Sequence, residues 1–493
     1  MIRDFCLQNI TSFFPYKPNT EQYSALHTLS DFIALPDSDS VLIFKGFAGT
    51  GKTTTLGAVV KMMDALHRKV VLLAPTGRAA KVFAEYADHS ASTIHKKIYR
   101  QKNNSLISGT SSDSPFFSLS TNLHKNTLFI VDEASMISNE KSDTSVFGSG
   151  RLLDDLIYYV YSGADCSLIL TGDPAQLPPV SQTESPALSA AYLKKYDLRV
   201  TEIQLTQVVR QQESSGILYN ATNIRNALQS GEIAVYPTIL TEKFADIRKI
   251  DGNDLIEELS SAYGRDGIDD TIVICRSNKN ANIYNMGIRN RILFREEELS
   301  SNDRLMVVKN NYYWGGKEET ESDFIANGEI IQVLHVRKME NEYGFRFCNV
   351  LVRFIDYDIE IELKIMLDTI LSESPALPHE SNEKFFTAVN EAYADIRLKS
   401  DRIKMIKNDP YFNALQVKYA YAVTCHKAQG GQWSNVFIDI GYVTKDMMGE
   451  NFYHWLYTAF TRATKRLYLV NWRLDGAVER TVERNYKFRS TRR

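Results

Sequence analysis

Eight residues, Gly46-Phe47-Ala48-Gly49-Thr50-Gly51-Lys52-Thr53, constrain this chain more than any others. They fit the phosphate-loop pattern G-x-x-x-x-G-K-[ST]. The apolar run 41–44 before them reads as a buried strand, and residues 53–66 after them read as a helix. A loop between a strand and a helix is the setting in which the pattern has meaning. Glycines let the backbone wrap a phosphate without Cβ clashes, with N–H groups turned inward. The helix N-terminus adds positive partial charge. Gly46, Ala48, Gly49, Thr50, Gly51, Lys52, Thr53 and Thr54 are therefore the candidate nucleotide-binding residues. Lys52 is expected at the β- and γ-phosphates, and the Thr53 hydroxyl on Mg²⁺.

A chain of 493 residues predicts two to four domains. Its 44% hydrophobic and 24% charged residues are those of a soluble globular protein. The net charge of −3 does not announce a nucleic-acid binder, so any basic groove has to be local. Five scattered cysteines without a C-x-x-C pair argue against a zinc site or a disulfide framework. No apolar run reaches membrane-spanning length and no signal-type apolar region opens the chain, which makes a cytoplasmic protein the expectation.

Around the loop, further polar groups fall at the ends of apolar runs. Leu128-Phe129-Ile130-Val131 ends in Asp132-Glu133. Asp132 is expected to hold Mg²⁺ through water and Glu133 to orient or deprotonate the attacking water; a helix-start signal is the plainer alternative for paired acids. Residues 167–171 lead into Gly172-Asp173-Pro174-Ala175-Gln176, where Gln176 has the chemistry to bond a γ-phosphate and register its loss. Upstream, Gln22 lies in a helix expected to carry Tyr23, Leu26 and Leu29 on one face. Its amide suits adenine, or is simply an exposed helical side chain. Thr76 follows the strand 70–74, on the ligand-facing edge of an α/β sheet. His95 is either a site residue or an ordinary core or surface histidine.

Residues 101–126 change character, and a small β-hairpin is expected there. Phe116 and Phe117 stand in a polar setting, as exposed aromatics or as the start of a packed strand. Residues 138–151, rich in Ser, Asn and Gly, read as a surface loop. Strand patterns at 271–275, 435–440 and 466–470 predict a second α/β sheet, beginning again near residues 202–205. Between them, residues 297–405 carry short β-rich runs and then a charged, helical segment from about 378. A small inserted β-barrel is the reading.

These motifs together, GFAGTGKTT, VDEAS, GDPAQLPPV, VVRQ, TCHKAQG and YTAFTRA, resemble those of superfamily 1B DNA helicases of the RecD/Dda-like branch. The resemblance runs from Gln22 to Arg462. It implies an α/β fold of two RecA-like parallel-sheet domains: 1–200 with a hairpin at about 99–127, and 201–296 plus 406–493. An SH3-like barrel with a helical extension is then expected at 297–405. It also implies a 5′-to-3′ helicase that uses ATP and Mg²⁺ in the cleft between the two domains, with single-stranded DNA and duplex junctions as partners. A monomer acting in DNA repair or recombination follows from the same likeness. Gln22 then reads adenine; Gln176, Arg210 and Arg462 contact the γ-phosphate; and Gly430 lies with the nucleotide-binding residues. Thr76, His95, Asn310, Thr424 and His426 fall in segments that touch DNA, and the 101–126 excursion is where the family keeps its strand-separating pin. The long N-terminal domain of many RecD-type proteins is missing, which argues against assembly into a RecBCD-type complex. The competing reading is a nucleotide-dependent switch or scaffold that binds a protein without translocating.

Overall fold

The apolar runs of the first part of the chain become strands that are buried along nearly their whole length, as parallel strands covered on both faces must be. In this computed structural model the described residues are 2–34, 39–101, 117–141, 147–209, 214–234, 236–315, 325–355 and 359–472. Along the chain come β1 (Ser40–Gly46), β2 (Lys69–Ala74), β3 (Ala91–Thr93), β4 (Tyr99–Gln101), β5 (Phe117–Leu119), β6 (Thr127–Val131), β7 (Ser167–Gly172) and β8 (Arg199–Leu205). β4 and β5 pair antiparallel; the other six form one parallel sheet in the order β3-β2-β6-β7-β1-β8.

Helices α1 (Ile2–Phe13), α2 (Thr20–Ala34), α3 (Lys52–Ala65), α4 (Gly77–Ala87) and α5 (Ile94–Ile98) belong to the same unit. Strand side chains alternate between faces. Leu42 and Phe44 of β1 therefore join Ile10, Leu26, Leu29, Leu56 and Val59 in one core. Val41 and Ile43 join Phe129, Leu168, Leu153 and Leu156 in the other.

Two sequence expectations are corrected here. β8 does not open the second sheet. It pairs in parallel with β1 along Ser40–Gly46 as the edge strand of the first, so the first domain passes residue 200. Its mixed burial reflects that edge position. In α2 the buried stripe is Gln22, Ala25, Leu26, Leu29, Ser30 and Ile33, and Tyr23 is exposed. The helical period holds but starts one residue earlier, on a polar side chain.

The second unit begins its sheet with β9 (Ile247–Ile250) and β10 (Thr271–Cys275). The chain then leaves for β11 (Arg304–Val307), β12 (Ile330–Glu342), β13 (Phe345–Phe354), β14 (Ile359–Met366) and β15 (Leu415–Tyr419), which close into a barrel. It returns as β16 (Ala422–Thr424), β17 (Trp433–Asp439) and β18 (Ala463–Val470), giving a parallel sheet ordered β16-β10-β17-β18-β9. Two RecA-like sheets, a hairpin in the first and a barrel inserted in the sequence of the second are the architecture expected from the sequence.

The barrel does not end at 405. β15 closes it, antiparallel to β11 and parallel to β14. Residues Glu297–Ala420 also group with the first unit rather than with the sheet into whose sequence they are inserted. The physical reason is contact. Tyr312 of the barrel packs at 4.7 Å, tilted, against Phe117, and Lys96 of α5 pairs with Glu329. The helices His379–Ala392 and Lys399–Asn408 supply Phe385, Val389 and Ile406 to a satellite core with Phe347 and Met366. Among the described residues, no helix is long and apolar enough to cross a membrane.

Candidate nucleotide and nucleic-acid site

β1 delivers the phosphate loop to the C-terminal edge of the first sheet. Gly49 (φ 75°) and Gly51 (φ 87°) take left-handed conformations that L side chains resist. A Cβ on Gly46 would meet Thr50 Oγ1 at 3.1 Å and Lys52 Cβ at 3.2 Å. Thr50 is fully buried and its hydroxyl donates to the Phe47 carbonyl at 2.8 Å. Lys52 Nζ lies 3.4 Å from the Gly46 carbonyl, folded over the loop. Ala48, Thr53 and Thr54 complete the strand-loop-helix turn from β1 into α3.

Gln22 is neither exposed nor idle. Its backbone N–H donates to Asn19 Oδ1 at 2.8 Å while its Oε1 accepts from the Asn19 N–H at 3.1 Å. That reciprocal pair is a capping box at the start of α2. Its Nε2 donates to the Thr50 carbonyl at 3.0 Å, so the helix cap and the phosphate loop share one side chain. Next to it, Glu21 accepts from the backbone N–H groups of Thr206 (2.7 Å) and Gln207 (2.9 Å), tying the same turn to the chain after β8. The sequence signal was the Asn19-x-x-Gln22 spacing.

Asp132 and Glu133 follow β6, two strands from β1 on the same edge. Asp132 donates its N–H to the Leu73 carbonyl at 2.9 Å and accepts the Glu133 N–H at 2.9 Å. Glu133 has φ 53°, a strained value for a carboxylate residue, and strain of this kind gathers at functional sites. Just beyond lie Ser135 Oγ and, on β7, Thr171 Oγ1, two buried hydroxyls with no hydrogen-bond partner among the described residues. Sequence reasoning passed over both. Glycines in left-handed turns, a lysine over the loop and two unsatisfied buried hydroxyls beside paired acids fit a nucleotide phosphate chain with a hard cation.

The remaining γ-phosphate candidates belong to the second unit. Ala175–Leu177 are fastened there. The Leu177 N–H donates to Thr458 Oγ1 at 2.7 Å, Gln429 Nε2 donates to the Leu177 carbonyl at 2.7 Å, and the His454 ring lies 2.9 Å from the Ala175 carbonyl. Gln176 sits in the middle of that fastening, buried, its Oε1 without a hydrogen-bond partner among the described residues. Arg462 is 3% exposed. Its Nε and Nη1 donate to the carbonyls of Thr458 (3.1 Å) and Gly431 (3.2 Å), beside Gly430 at φ 73°. Thr458, His454 and Gln429 carry this arrangement; Thr458 and Gln429 fall inside the YTAFTRA and TCHKAQG stretches without having been singled out, and His454 lies outside every motif. Arg210 and Phe116 lie outside the described residues.

The DNA-segment candidates have local roles that the sequence did not show. Thr76 caps α4, accepting the Ala79 N–H at 3.2 Å. His95 is half-buried on α5, 4.9 Å from the Phe147 ring and 5.7 Å from that of Tyr99. Burial lowers its pKa to about 4, so it is neutral near pH 7 and offers hydrogen bonds rather than charge. Asn310 Oδ1 accepts the Asn327 N–H at 2.6 Å and shapes a barrel loop. Thr424 is half-buried at the end of β16, and His426 is exposed.

Of its two readings, Phe117 takes that of a packed strand residue, against the DNA-facing one: it opens β5, is 1% exposed, and packs against Phe147 (5.1 Å) and Tyr312 (4.7 Å). The loop expected over 138–151 is anchored at both described ends: Asn139 is buried and bonded to Asp154 at 2.6 Å, and Phe147 joins the aromatic cluster.

A phosphate loop and paired acids at one edge of a parallel sheet are the parts that RecA-like nucleotide hydrolases use. A family model described as an AAA domain matches residues 18–237, and one described as a UvrD-like helicase C-terminal domain matches residues 419–470. An uncharacterised protein of Acanthamoeba polyphaga mimivirus is 24% identical over 91% of this chain and 99% of its own length. The ATP-dependent RecD2 DNA helicase of Deinococcus radiodurans is 24% identical over 89% of this chain, but this chain covers 48% of that protein. The ATP-dependent DNA helicase dda of Enterobacteria phage T4 is 24% identical over 82% of this chain and 89% of its own length. A solved Pif1 helicase from Candida albicans aligns over 97% of this chain and 100% of its own, at 14% identity and a TM-score of 0.42. The likeness to ATP-dependent DNA helicases thus extends over both the phosphate-loop part and the C-terminal part of the chain.

Proposed function

We propose that this chain is an ATP-dependent DNA helicase that translocates 5′ to 3′ on single-stranded DNA. The observation that carries the reading is three buried polar atoms with no hydrogen-bond partner among the described residues. They are the Ser135 and Thr171 hydroxyls, in the unit that holds the phosphate loop, and Gln176 Oε1 in the other unit. Native proteins leave such groups unsatisfied where a ligand completes them. The names of RecD2 and dda, both ATP-dependent DNA helicases, support the substrate class.

In this reading the loop N–H groups and Lys52 bind and neutralise the phosphate chain, while Thr53 and Asp132 hold Mg²⁺. Bound ATP supplies the phosphoanhydride to be cleaved, and Mg²⁺ the positive charge shared by its oxygens. Glu133 orients the attacking water and takes its proton. Arg462, with Arg210, stabilises the charge that develops, a contribution worth ~10³–10⁵ in rate for an arginine of this kind. Gln176 registers the terminal phosphate. The fastening of its neighbours Leu177 and Ala175 to Thr458, Gln429 and His454 relays that state to the helix Glu450–Phe460 and to the Thr424–His426 segment, which we assign to DNA together with Thr76, His95 and Asn310.

The test is ATP hydrolysis with and without an oligonucleotide, beside strand displacement on tailed duplexes. Stimulated hydrolysis with displacement is the expected result. Hydrolysis indifferent to DNA, with a protein ligand instead, would favour the switch reading.

A further inference from the structure

Two lysines on the proposed DNA-facing segments reach the barrel. Lys96 lies in the run His95-Lys96-Lys97-Ile98-Tyr99-Arg100, which by composition reads as a phosphate-binding cluster. Its Nζ instead lies 3.1 Å from Glu329 Oε1, with the side chains 17% and 3% exposed. Lys81, on α4 behind the Thr76 cap, makes a longer contact of 3.5 Å to the Ile355 carbonyl. Both barrel positions belong to one rigid corner. The Ile355 N–H donates to the Ile330 carbonyl at 3.2 Å, the Val307 N–H donates to the Glu329 carbonyl at 2.9 Å, and the Asn327 N–H donates to Asn310 Oδ1 at 2.6 Å. Beside it, Tyr312 enters the cluster of Phe117 and Phe147, against whose Phe147 ring His95 rests.

We propose that Glu329 of the barrel and Lys96 of α5 form a positioning pair that sets the Thr93–His95 turn for single-stranded DNA, with Lys96 itself making no phosphate contact. The inference rests on the single-stranded DNA reading above. A carboxylate so buried demands its cation, and the cation's length and direction then fix α5 against the barrel corner. Removing one member leaves an uncompensated charge and lets the turn shift. Removing both leaves two nearly neutral side chains of similar shape. Lys96→Met and Glu329→Gln should therefore be far from additive.

The experiment measures binding of a fluorescein-labelled oligo-dT across a salt series, with thermal melts, for the parent, K96M, E329Q and the K96M/E329Q double variant. Each single variant should weaken binding about tenfold at fixed salt, through a misplaced contact segment. Each should also lower the first melting midpoint by about 5 °C. The double variant should return to within about twofold of the parent in affinity. All four proteins should share one salt slope, because no phosphate contact is lost. ATP hydrolysis without DNA should be unchanged, since neither residue touches the phosphate loop, Asp132 or Glu133. A salt slope reduced by about 0.7 in K96M, with E329Q like the parent, would make Lys96 a phosphate contact and overturn the proposal. Additive losses in the double variant would overturn it as well. A parent protein with no affinity for the oligonucleotide would sink the functional reading itself, a result distinct from either.

Discussion

Replacing Gln22 by alanine separates two accounts of the nucleotide site. In the structure this amide spends its oxygen on the Asn19 N–H (3.1 Å) and a nitrogen on the Thr50 carbonyl (3.0 Å), with 4% of the residue exposed. Losing a capping-box contact costs about 1 kcal/mol. Leaving the Thr50 carbonyl short of a donor in a buried position costs a further ~1–2 kcal/mol. A total of ~2–3 kcal/mol corresponds to a drop of roughly 3–5 °C in melting temperature for a unit of this size. The loop should loosen for every nucleotide alike, so the KM for ATP and for GTP should rise by similar factors. Asn19→Ala, which removes only the cap, should give about a third to a half of the thermal effect. The assays are differential scanning fluorimetry and steady-state hydrolysis with both nucleotides. If Gln22→Ala keeps the parent melting temperature but loses its preference between ATP and GTP, the side chain reads the base and does not brace the loop.

Glu133→Gln should retain nucleotide binding and slow turnover by at least ~10², the scale of a general base, read by fluorescent-nucleotide titration and single-turnover hydrolysis. Lys52→Ala, by contrast, should lose both. Arg462→Ala should lower turnover by ~10³ or more. Because the guanidinium also holds the Thr458 and Gly431 carbonyls, the melting temperature of the second unit should fall as well, and Arg462→Lys should restore little of either. His95, held down to about 4 by burial, binds its proton more readily unfolded than folded. Its contribution to stability should be full above about pH 6.5 and be lost as pH falls toward 4, and His95→Phe should flatten the melting profile across that window.

What was legible in the sequence was what short-range chemistry dictates. The phosphate loop announced itself because its glycines need left-handed backbone and its lysine and threonine need fixed spacing from them. The buried parallel strands read as unbroken apolar runs for the reason that both their faces are covered. β8 was assigned to the second sheet because an edge strand alternates, and alternation carries no address. β15 was missed as the closing strand since its partners β11 and β14 lie far back along the chain. Phe117 left two readings open in a polar setting. Its burial was decided by Tyr312, roughly two hundred residues on, a contact that no local pattern encodes. Gln22, Ser135 and Thr171 had the same difficulty in milder form. Their identities are common, and only the neighbours that tertiary structure brings, or withholds, give them a role. Thr458 and His454 fasten the Gln176 loop from a helix nearly three hundred residues away, so the relay was beyond any reading of GDPAQLPPV alone.

The central claim is a motor that converts ATP hydrolysis into directed movement on a single strand. Strand displacement on matched duplexes, one with a 5′ single-stranded tail and one with a 3′ tail, tests it most directly. ATP hydrolysis is followed in the same reactions, with Glu133→Gln as the control. The account predicts ATP-dependent displacement of the 5′-tailed duplex, little of the 3′-tailed one, and none by Glu133→Gln. Preference for the 3′ tail would contradict the direction of travel. Vigorous DNA-stimulated hydrolysis without displacement of either duplex would contradict the helicase itself.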